Sequence, residues 1–403
     1  MIPIEEARAR ILADLRPVAA EVVALAEAWG RVTAAPILAR LTQPPGDVSA
    51  MDGYALRAAD GALGASLRLI GSAPAGHPFA GTVGAGETVR IFTGSVVPDG
   101  ADAILLQEDA TADGTAIRVN EAVRAGRHIR RAGQDFAAGD TLVPEGRRMT
   151  ARDVGLAASG NHPWVTVRRR PVVAVLATGD EIALPGEPIP RGGIVSSNAH
   201  ALAGLIRGAG AVPMVLPVAA DDPAAIGAVA DALAGVDLLV TTGGASVGEH
   251  DLVISALSAR GLRVDFWKIA MRPGKPLVFG RMAEGGVPFL GLPGNPVSAL
   301  VCAVLFLGPA LAVLSGLPGA APPTEAAILG VALPANDQRA DHLRASLATD
   351  AAGRTVATPF TVQDSAQLRR LAQADALILR APHAPPLPAG AAVDVIRLDR
   401  LGV

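Results

Sequence analysis

The chain of 403 residues contains a single cysteine, Cys302, and a single tyrosine, Tyr54. One cysteine excludes an intrachain disulfide and any metal cluster built on cysteine. Cys302 lies inside an apolar run, where a thiol is expected to be buried and inert rather than nucleophilic. The 7 histidines show no HExxH or other close ligand spacing. Any metal is therefore expected to be a hard ion on oxygen ligands. Aromatic residues are only 3% of the chain, and the formal net charge is -3. That balance offers no general attraction for nucleic acid or for an anionic membrane surface. Long uncharged runs are scarce as well. The nearest, Val297–Leu314, is interrupted by Gly308-Pro309 and bounded by Asn295-Pro296 and Ser315-Gly316. It reads as a helix packed on a sheet, not as a bilayer span. With no basic segment followed by an apolar one near residue 1, the chain is expected to be cytoplasmic, with a small-molecule substrate.

What is plentiful is small residues, with 45 Gly and 32 Pro in a chain that is 50% hydrophobic. At this length two to four globular units are expected. The most informative stretch is Asp237–Asp251, DLLVTTGGASVGEHD. Leu238, Leu239 and Val240 form the short apolar run of a buried parallel strand. Thr241-Thr242-Gly243-Gly244 follows, with glycines that turn tightly and leave their amides uncovered. Ala245-Ser246-Val247-Gly248 extends the loop, and a helical pattern carrying Val253, Ala256 and Leu257 begins after it. A glycine loop between strand and helix can hold a phosphate or another oxyanion on backbone N–H groups. A carboxylate there repels an anion, so Asp251 is expected to hold a metal that the anion shares. Glycine pairs after strands also serve only as turns. The other loops decide between the two readings.

In chain order, residues 1–45 read as helical, with Ile4, Ala7, Ile11 and Leu15 on one face and a second pattern around Val22, Val23, Leu25 and Ala26. Pro44-Pro45-Gly46 ends this region. Short β-like runs between glycines follow to about residue 140, at Ser66–Ile70, Thr88–Phe92, Ala103–Leu106 and Ala116–Val119. Helical periodicity returns at Ala151–Ser159, so the β-rich part is expected to be an insertion. The expected division is 1–45 plus 141–170 helical, 46–140 β-rich, 171–318 α/β and 319–403 a terminal β-barrel. Five further runs support the barrel: Ala326–Leu333, His342–Thr349, Arg354–Thr358, Ala376–Arg380 and Val393–Leu398.

Between residues 171 and 316 strands and helices alternate, as in a three-layer α/β sandwich. The strand runs are Val172–Leu176, Val212–Val218, Leu238–Val240, Arg263–Trp267, Leu277–Phe279 and Pro288–Leu292. Ser196-Ser197-Asn198 and Asp221-Asp222-Pro223 read as helix caps. In such a sheet ligands bind beyond the C-terminal strand ends. Those ends carry Thr178-Gly179-Asp180-Glu181, Asp221-Asp222, Thr242-Gly243-Gly244 with Asp251, and Pro293-Gly294-Asn295-Pro296. Carboxylates from three loops thus converge on one glycine-lined crevice, which favours a metal–phosphate site. Lys268, Arg272 and Lys275, with Pro273-Gly274 bending the chain between them, could clamp an oxyanion.

These stretches resemble the MoeA and gephyrin E-domain family of molybdopterin molybdenumtransferases. The matching motifs are SAMDGYA (Ser49–Ala55), IFTGSVVPDGADAILLQED (Ile91–Asp109), RRAGQDF (Arg130–Phe136), ATGDEI (Ala177–Ile182), TTGGASVGEHD (Thr241–Asp251), KIAMRPGKP (Lys268–Pro276) and GLPGNPVS (Gly291–Ser298). The resemblance implies a multidomain α/β fold. Its central three-layer α/β/α (MogA-like) domain would accompany a helical N-terminal region, an inserted β-rich domain and a C-terminal β-barrel. It implies a homodimer whose active crevice is shared between subunits. The implied reaction is insertion of molybdate into adenylylated molybdopterin with Mg²⁺-dependent release of AMP.

On the same resemblance, Glu181, Asp221 and Asp251 would hold the metal. Asp52, Thr93, Asp135, Lys268 and Lys275 would be catalytic, the first three acting across the dimer. Thr178, Gly179, Gly243, Gly244, Ser246, Gly248, Arg272, Pro293, Gly294, Asn295 and Pro296 would bind the substrate. Arg344 and Ser365 would form an oxyanion pocket for molybdate in the barrel. Arg272 departs from the lysine common in the family, keeping the charge but not the geometry. Gln363-Asp364-Ser365-Ala366 matches the family's serine stretch only loosely. The sulfur ligands belong to the pterin, so a chain with one buried cysteine is no obstacle. Implied partners are a molybdopterin adenylyltransferase upstream and apo-molybdoenzymes downstream. Three alternatives share these residues: a non-catalytic molybdopterin-binding or scaffold protein, an adenylyltransferase, and a tungstate-specific insertase. Asp52, Thr93, Glu181, Asp221, Asp251 and Lys275 argue against a scaffold, which would need none of them.

Overall fold

The computed structural model describes residues 1–243, 252–282 and 286–402. The chain divides into two compact units, one of Met1–Glu21, Gly30–Ala34 and Thr166–Val403, the other of Val22–Trp29 and Ala35–Val165. The four-part division expected from the sequence is finer than this.

In the larger unit the helix Ile4–Asp14 buries Ile4, Ala7 and Ile11, the face that its periodicity marks. The second helical pattern expected around Val22 does not form. Ala20–Ala24 is an extended strand, followed by a single 3-10 turn at Leu25–Glu27. Adjacent β-branched Val22 and Val23 are stiff at χ1, which favours extended backbone.

The central sheet has six strands in the order Val212–Val215, Val172–Ala177, Leu238–Thr242, Pro288–Leu292, Val278–Arg281, Arg263–Trp267. The first three pairings are parallel and the last two antiparallel. Alternation along the strands shows why helices cover both faces. Val173, Val175, Leu238, Val240, Leu290 and Leu292 enter one core with Leu202, Ile206 and the helix from Pro296. Ala174, Leu176, Leu239 and Phe289 enter the other, with Ile226, Val253 and Leu257. Asp222 caps its helix by accepting a hydrogen bond from the Ala225 amide at 2.8 Å, with Pro223 following it.

Pro296–Leu314 is one helical rod of 19 residues, most of them buried in the protein. Gly308-Pro309 does not end it. A π-helical segment at Ala303–Leu307 precedes them. Proline lacks an amide donor and crowds the preceding turn, and the wider turn accommodates it.

All five runs expected for the terminal barrel are strands: Glu325–Leu329, Ala340–Thr349, Thr355–Pro359, Ala376–Arg380 and Ala392–Arg397. Pairing of Ala340–Thr349 with Ala376–Arg380 closes the barrel. Ala327, Ala345, Ala357 and Ala376 fill its narrow interior together with Leu329, Ile378 and Val395. A sixth, two-residue strand, Met271–Arg272, joins its edge by pairing with Ala340 and Asp341.

The smaller unit carries a six-stranded mixed sheet in the order Ala103–Leu106, Gly53–Leu56, Glu87–Ile91, Ser66–Ala73, Ala116–Val119, Ala110–Asp113. Its helix Ala151–Ser159 opens with a capping box between Thr150 and Asp153.

Candidate functional site

A crevice of about 790 Å³ lies in the larger unit, at the C-terminal ends of the three parallel strands that finish at Ala177, Thr242 and Leu292. Its lining includes Thr178, Gly179, Glu181, Asp221, Gly243, Pro293, Gly294, Asn295 and Pro296, nine of the residues expected from the sequence. Gly244, Ser246, Gly248 and Asp251 lie outside the described residues.

Two glycines are required by the geometry. At Gly243 φ is +97°, and a Cβ would stand 2.8 Å from the Thr178 carbonyl oxygen. At Gly179 φ is +141°, and a Cβ would meet the Glu181 carboxylate at 2.5 Å. The Glu181 carboxylate therefore lies over bare backbone at the mouth of the first strand. Asp180, which was not singled out, accepts a hydrogen bond from the Asp221 amide at 3.0 Å and so ties two acidic loops together. Glu181 and Asp221 make no ion pair among the described residues. No lysine, arginine or histidine lines the crevice among the described residues. The cavity is thus acidic at its rim and hydrogen-bonding at its floor.

Asn198 is the residue that sequence reasoning undervalued. Read as a cap, it stands just after the true N-cap, Ser197, whose side chain makes no capping bond. The Asn198 amide nitrogen donates to Thr242 Oγ1 at 2.7 Å and to the Gly294 carbonyl at 2.7 Å. It fastens two strand-end loops to the start of a helix. Ser196, Ser197 and the buried Ser298 also line the crevice. The only signal for them was their place beside strand ends, in the SSN and GNPVS segments.

The three cations expected to form a clamp do not line this crevice. Arg272 is engaged elsewhere, donating to both oxygens of Asp341 at 2.8 and 2.5 Å. That bond holds its guanidinium pKa above the usual value. Lys268 stands 4.2 Å over the Trp267 ring at a positive φ of 73°. Lys275 is half-buried and makes no side-chain hydrogen bond or ion pair among the described residues. Only Pro276 from this segment reaches the crevice. A partner offered by the barrel, invisible in the local sequence, has drawn Arg272 away.

Ser365 sits at the crevice edge, where its hydroxyl accepts from the Asn295 side chain at 3.0 Å and its carbonyl accepts from the Val297 amide at 3.1 Å. Its neighbours Ala366 and Leu368 line the cavity. Arg344 is 1% exposed. Its Nε reaches Gln363 Oε1 at 3.3 Å and one Nη the Gln367 carbonyl at 3.4 Å. The other Nη has no hydrogen-bond partner among the described residues. A buried guanidinium without a carboxylate is a costly arrangement unless an anion completes it.

In the smaller unit, Asp52 and Thr93 are brought together. Asp52 Oδ1 accepts from the Thr93 amide at 2.7 Å and from the Thr93 hydroxyl at 2.8 Å. These bonds, led by the backbone one, hold the Asp52 carboxyl below the usual carboxylate range. Asp135 lies on an exposed turn, its amide donating to the Gln43 carbonyl at 3.1 Å, and it shares no hydrogen bond with that pair.

Comparison with known proteins extends over the whole chain. Residues 2–160 match the family model of the MoeA N-terminal region (domain I and II). Residues 174–313 match a probable molybdopterin binding domain, and 326–398 the MoeA C-terminal region (domain IV). Molybdopterin molybdenumtransferase 2 of Mycobacterium tuberculosis is 37% identical over 385 residues, covering 92% of this chain and 93% of the relative. The molybdopterin molybdenumtransferase of Bacillus subtilis is 32% identical over 390 residues, covering 94% and 90%. The crystal structure of the molybdopterin biosynthesis MoeA protein from Pyrococcus horikosii matches with a TM-score of 0.86 at 29% identity, covering 98% of this chain and 99% of that one. Identity at this level over nearly the full length of both sequences means that the chain belongs to the molybdopterin molybdenumtransferase (MoeA) family.

Proposed function

We propose that this chain is a transferase that inserts molybdenum into molybdopterin, taking adenylylated molybdopterin and molybdate as substrates and releasing AMP. The observation that carries the proposal is the crevice itself. Backbone and hydroxyl donors floor it, two carboxylates without ion-pair partners rim it, and cationic side chains are missing from it among the described residues. A pyrophosphate brought here alone would face Glu181 and Asp221 unscreened. A hard divalent cation resolves that conflict.

The donor set fits Mg²⁺. Among the described residues no group of three or more His, Cys, Asp or Glu forms a ready-made cage. Magnesium is commonly held by one or two carboxylates together with substrate phosphates. Glu181 and Asp221 would hold it here, with Asp251 as the third acidic position. Bound there, it would supply charge neutralisation on the phosphoanhydride.

The chain's own groups do the remaining work. The Gly243 amide and the hydroxyls of Thr178, Ser196 and Ser197 orient the phosphates. Asn198 keeps the Thr242 and Gly294 loops in register, so that donors from different strands face one substrate. Molybdate is received near the barrel, where the free Arg344 Nη and the Ser365 hydroxyl are oxyanion donors. Asp52, Thr93 and Asp135 act on the crevice of a partner subunit in a homodimer. The low carboxyl pKa of Asp52 keeps it ionised for that role.

AMP release from adenylylated molybdopterin with Mg²⁺, with and without molybdate, tests the reading. Molybdate-dependent release and a product that activates an apo-molybdoenzyme are expected. Tight binding of the substrate with no release would refute the transfer and leave a carrier or scaffold of the same fold.

A further inference from the structure

Four large apolar side chains lie exposed within twelve residues of one another: Leu184, Ile189, Ile194 and Val195. Ile194 is 55% exposed and Val195 40%. They belong to a two-residue strand, Ile194–Val195, which pairs in parallel with Ile182–Ala183. The pairing is anchored by the Ile194 amide on the Glu181 carbonyl and the Ser196 amide on the Ala183 carbonyl, both at 2.8 Å. Ile182, Ile194 and Val195 all line the crevice, whereas Leu184 and Ile189 do not. The strand pair is held by its backbone, with Ile194 and Val195 exposed and Ile182, which pairs with Ile194, half-buried. Exposed apolar groups gathered beside a polar cavity mark a surface that something covers.

The position of this wall limits what covers it. In the transfer reading Glu181 would hold the cation shared with the phosphates, and it is followed directly by Ile182, the first residue of the wall. A ligand bridging the two is anionic at one end and flat and apolar at the other. No phenylalanine, tyrosine, tryptophan or histidine lines the crevice among the described residues, so a flat ring there packs against aliphatic faces. The wall cannot stack rings, but it excludes water from one face of a ring while its edge groups remain free.

We propose that Ile182, Ile194 and Val195 form the specificity wall for the fused heteroaromatic ring of the substrate. This rests on the transfer reading above, in which the substrate carries two such rings, a pterin and an adenine. The wall takes one of them, and Ile194, as the more exposed of the wall's residues, dominates the contact.

Binding of three probes to the full chain tests this: neopterin, AMP, and inorganic pyrophosphate with Mg²⁺. Ile194→Ser is the variant, and Ile189→Ser, exposed in the same segment but away from the crevice, is the control. Losing roughly half of the exposed Ile194 surface as contact, on the order of 50 Å², corresponds to roughly tenfold weaker binding. Ile194→Ser is expected to weaken either neopterin or AMP by about that factor while pyrophosphate binding and the control stay within about twofold. Loss for neopterin assigns the wall to the pterin, and loss for AMP assigns it to the adenine. Unchanged binding of both ring-bearing probes overturns the wall, as does an equal loss for pyrophosphate. A heterocycle-selective loss in a chain that releases no AMP would leave the wall standing and remove the transfer reading.

Discussion

Arg272→Ala separates a structural cation from a ligand clamp. Arg272 closes a short parallel pairing in which Met271 and Arg272 align with Ala340 and Asp341. Its side chain is 47% exposed, but the Asp341 carboxylate that receives its two hydrogen bonds is only 8% exposed. Breaking a fully buried pair costs about 3–5 kcal/mol, whereas an exposed pair is worth about 0–1 kcal/mol. This pair lies between those limits, and its two halves differ. Arg272→Ala strands a buried carboxylate and is expected to cost about 2 kcal/mol after allowance for screening on the arginine side. Asp341→Asn keeps the shape and leaves a guanidinium that can turn to water, for about 1 kcal/mol. Urea midpoints across the double-mutant cycle, with hydrogen exchange over residues 268–276 and 340–349, read both numbers. Protection should fall in both segments together, because the pair couples them. An Arg272→Ala protein with unchanged midpoint and protection but a many-fold higher KM for molybdate would refute this and return Arg272 to the oxyanion clamp.

Gly243→Ala should cost about 2 kcal/mol in strain and displacement at the crevice floor. Gly235→Ala, at φ +77° with open space around its Cβ, should cost about 1 kcal/mol, and paired urea titrations measure the difference. Burial holds the His342 imidazole down at about 4. The unfolded chain takes up a proton below about 6.5 and the folded one does not, so stability should fall by at most roughly 3 kcal/mol as pH drops from 6.5 to 4. His342→Gln should flatten that slope in denaturation series at pH 7, 5.5 and 4.5, and an unchanged slope would place the titration elsewhere. Burial also pushes the Cys302 thiol up, and its sulfur packs 3.7 Å from the Gly274 carbonyl. A disulfide reagent should therefore label the native chain only as fast as it unfolds, and rapid stoichiometric labelling would contradict the packing.

The parts of this molecule that were legible in the sequence are those set by short-range causes. Apolar runs between glycine turns mark strands because the pleat alternates every residue, and the five barrel runs all formed. Gly179 and Gly243 declared themselves because a left-handed turn at a strand end admits few other residues. Carboxylates on strand-end loops converge by topology alone. The direction of the two edge pairings was not legible, since Val278–Arg281 and Arg263–Trp267 read equally well as parallel or antiparallel strands. The same limit applied to every long side chain near the site. Arg272 meets an acceptor 69 positions away, and Asn198 meets acceptors 44 and 96 positions away. A long flexible cation is drawn to whichever carboxylate the tertiary fold leaves least hydrated, and no local pattern encodes that choice. A short acidic side chain on a tight turn has almost no such freedom. Glu181 and Asp221 could therefore be placed at the strand ends from spacing, while the whereabouts of the cations had to wait for the fold.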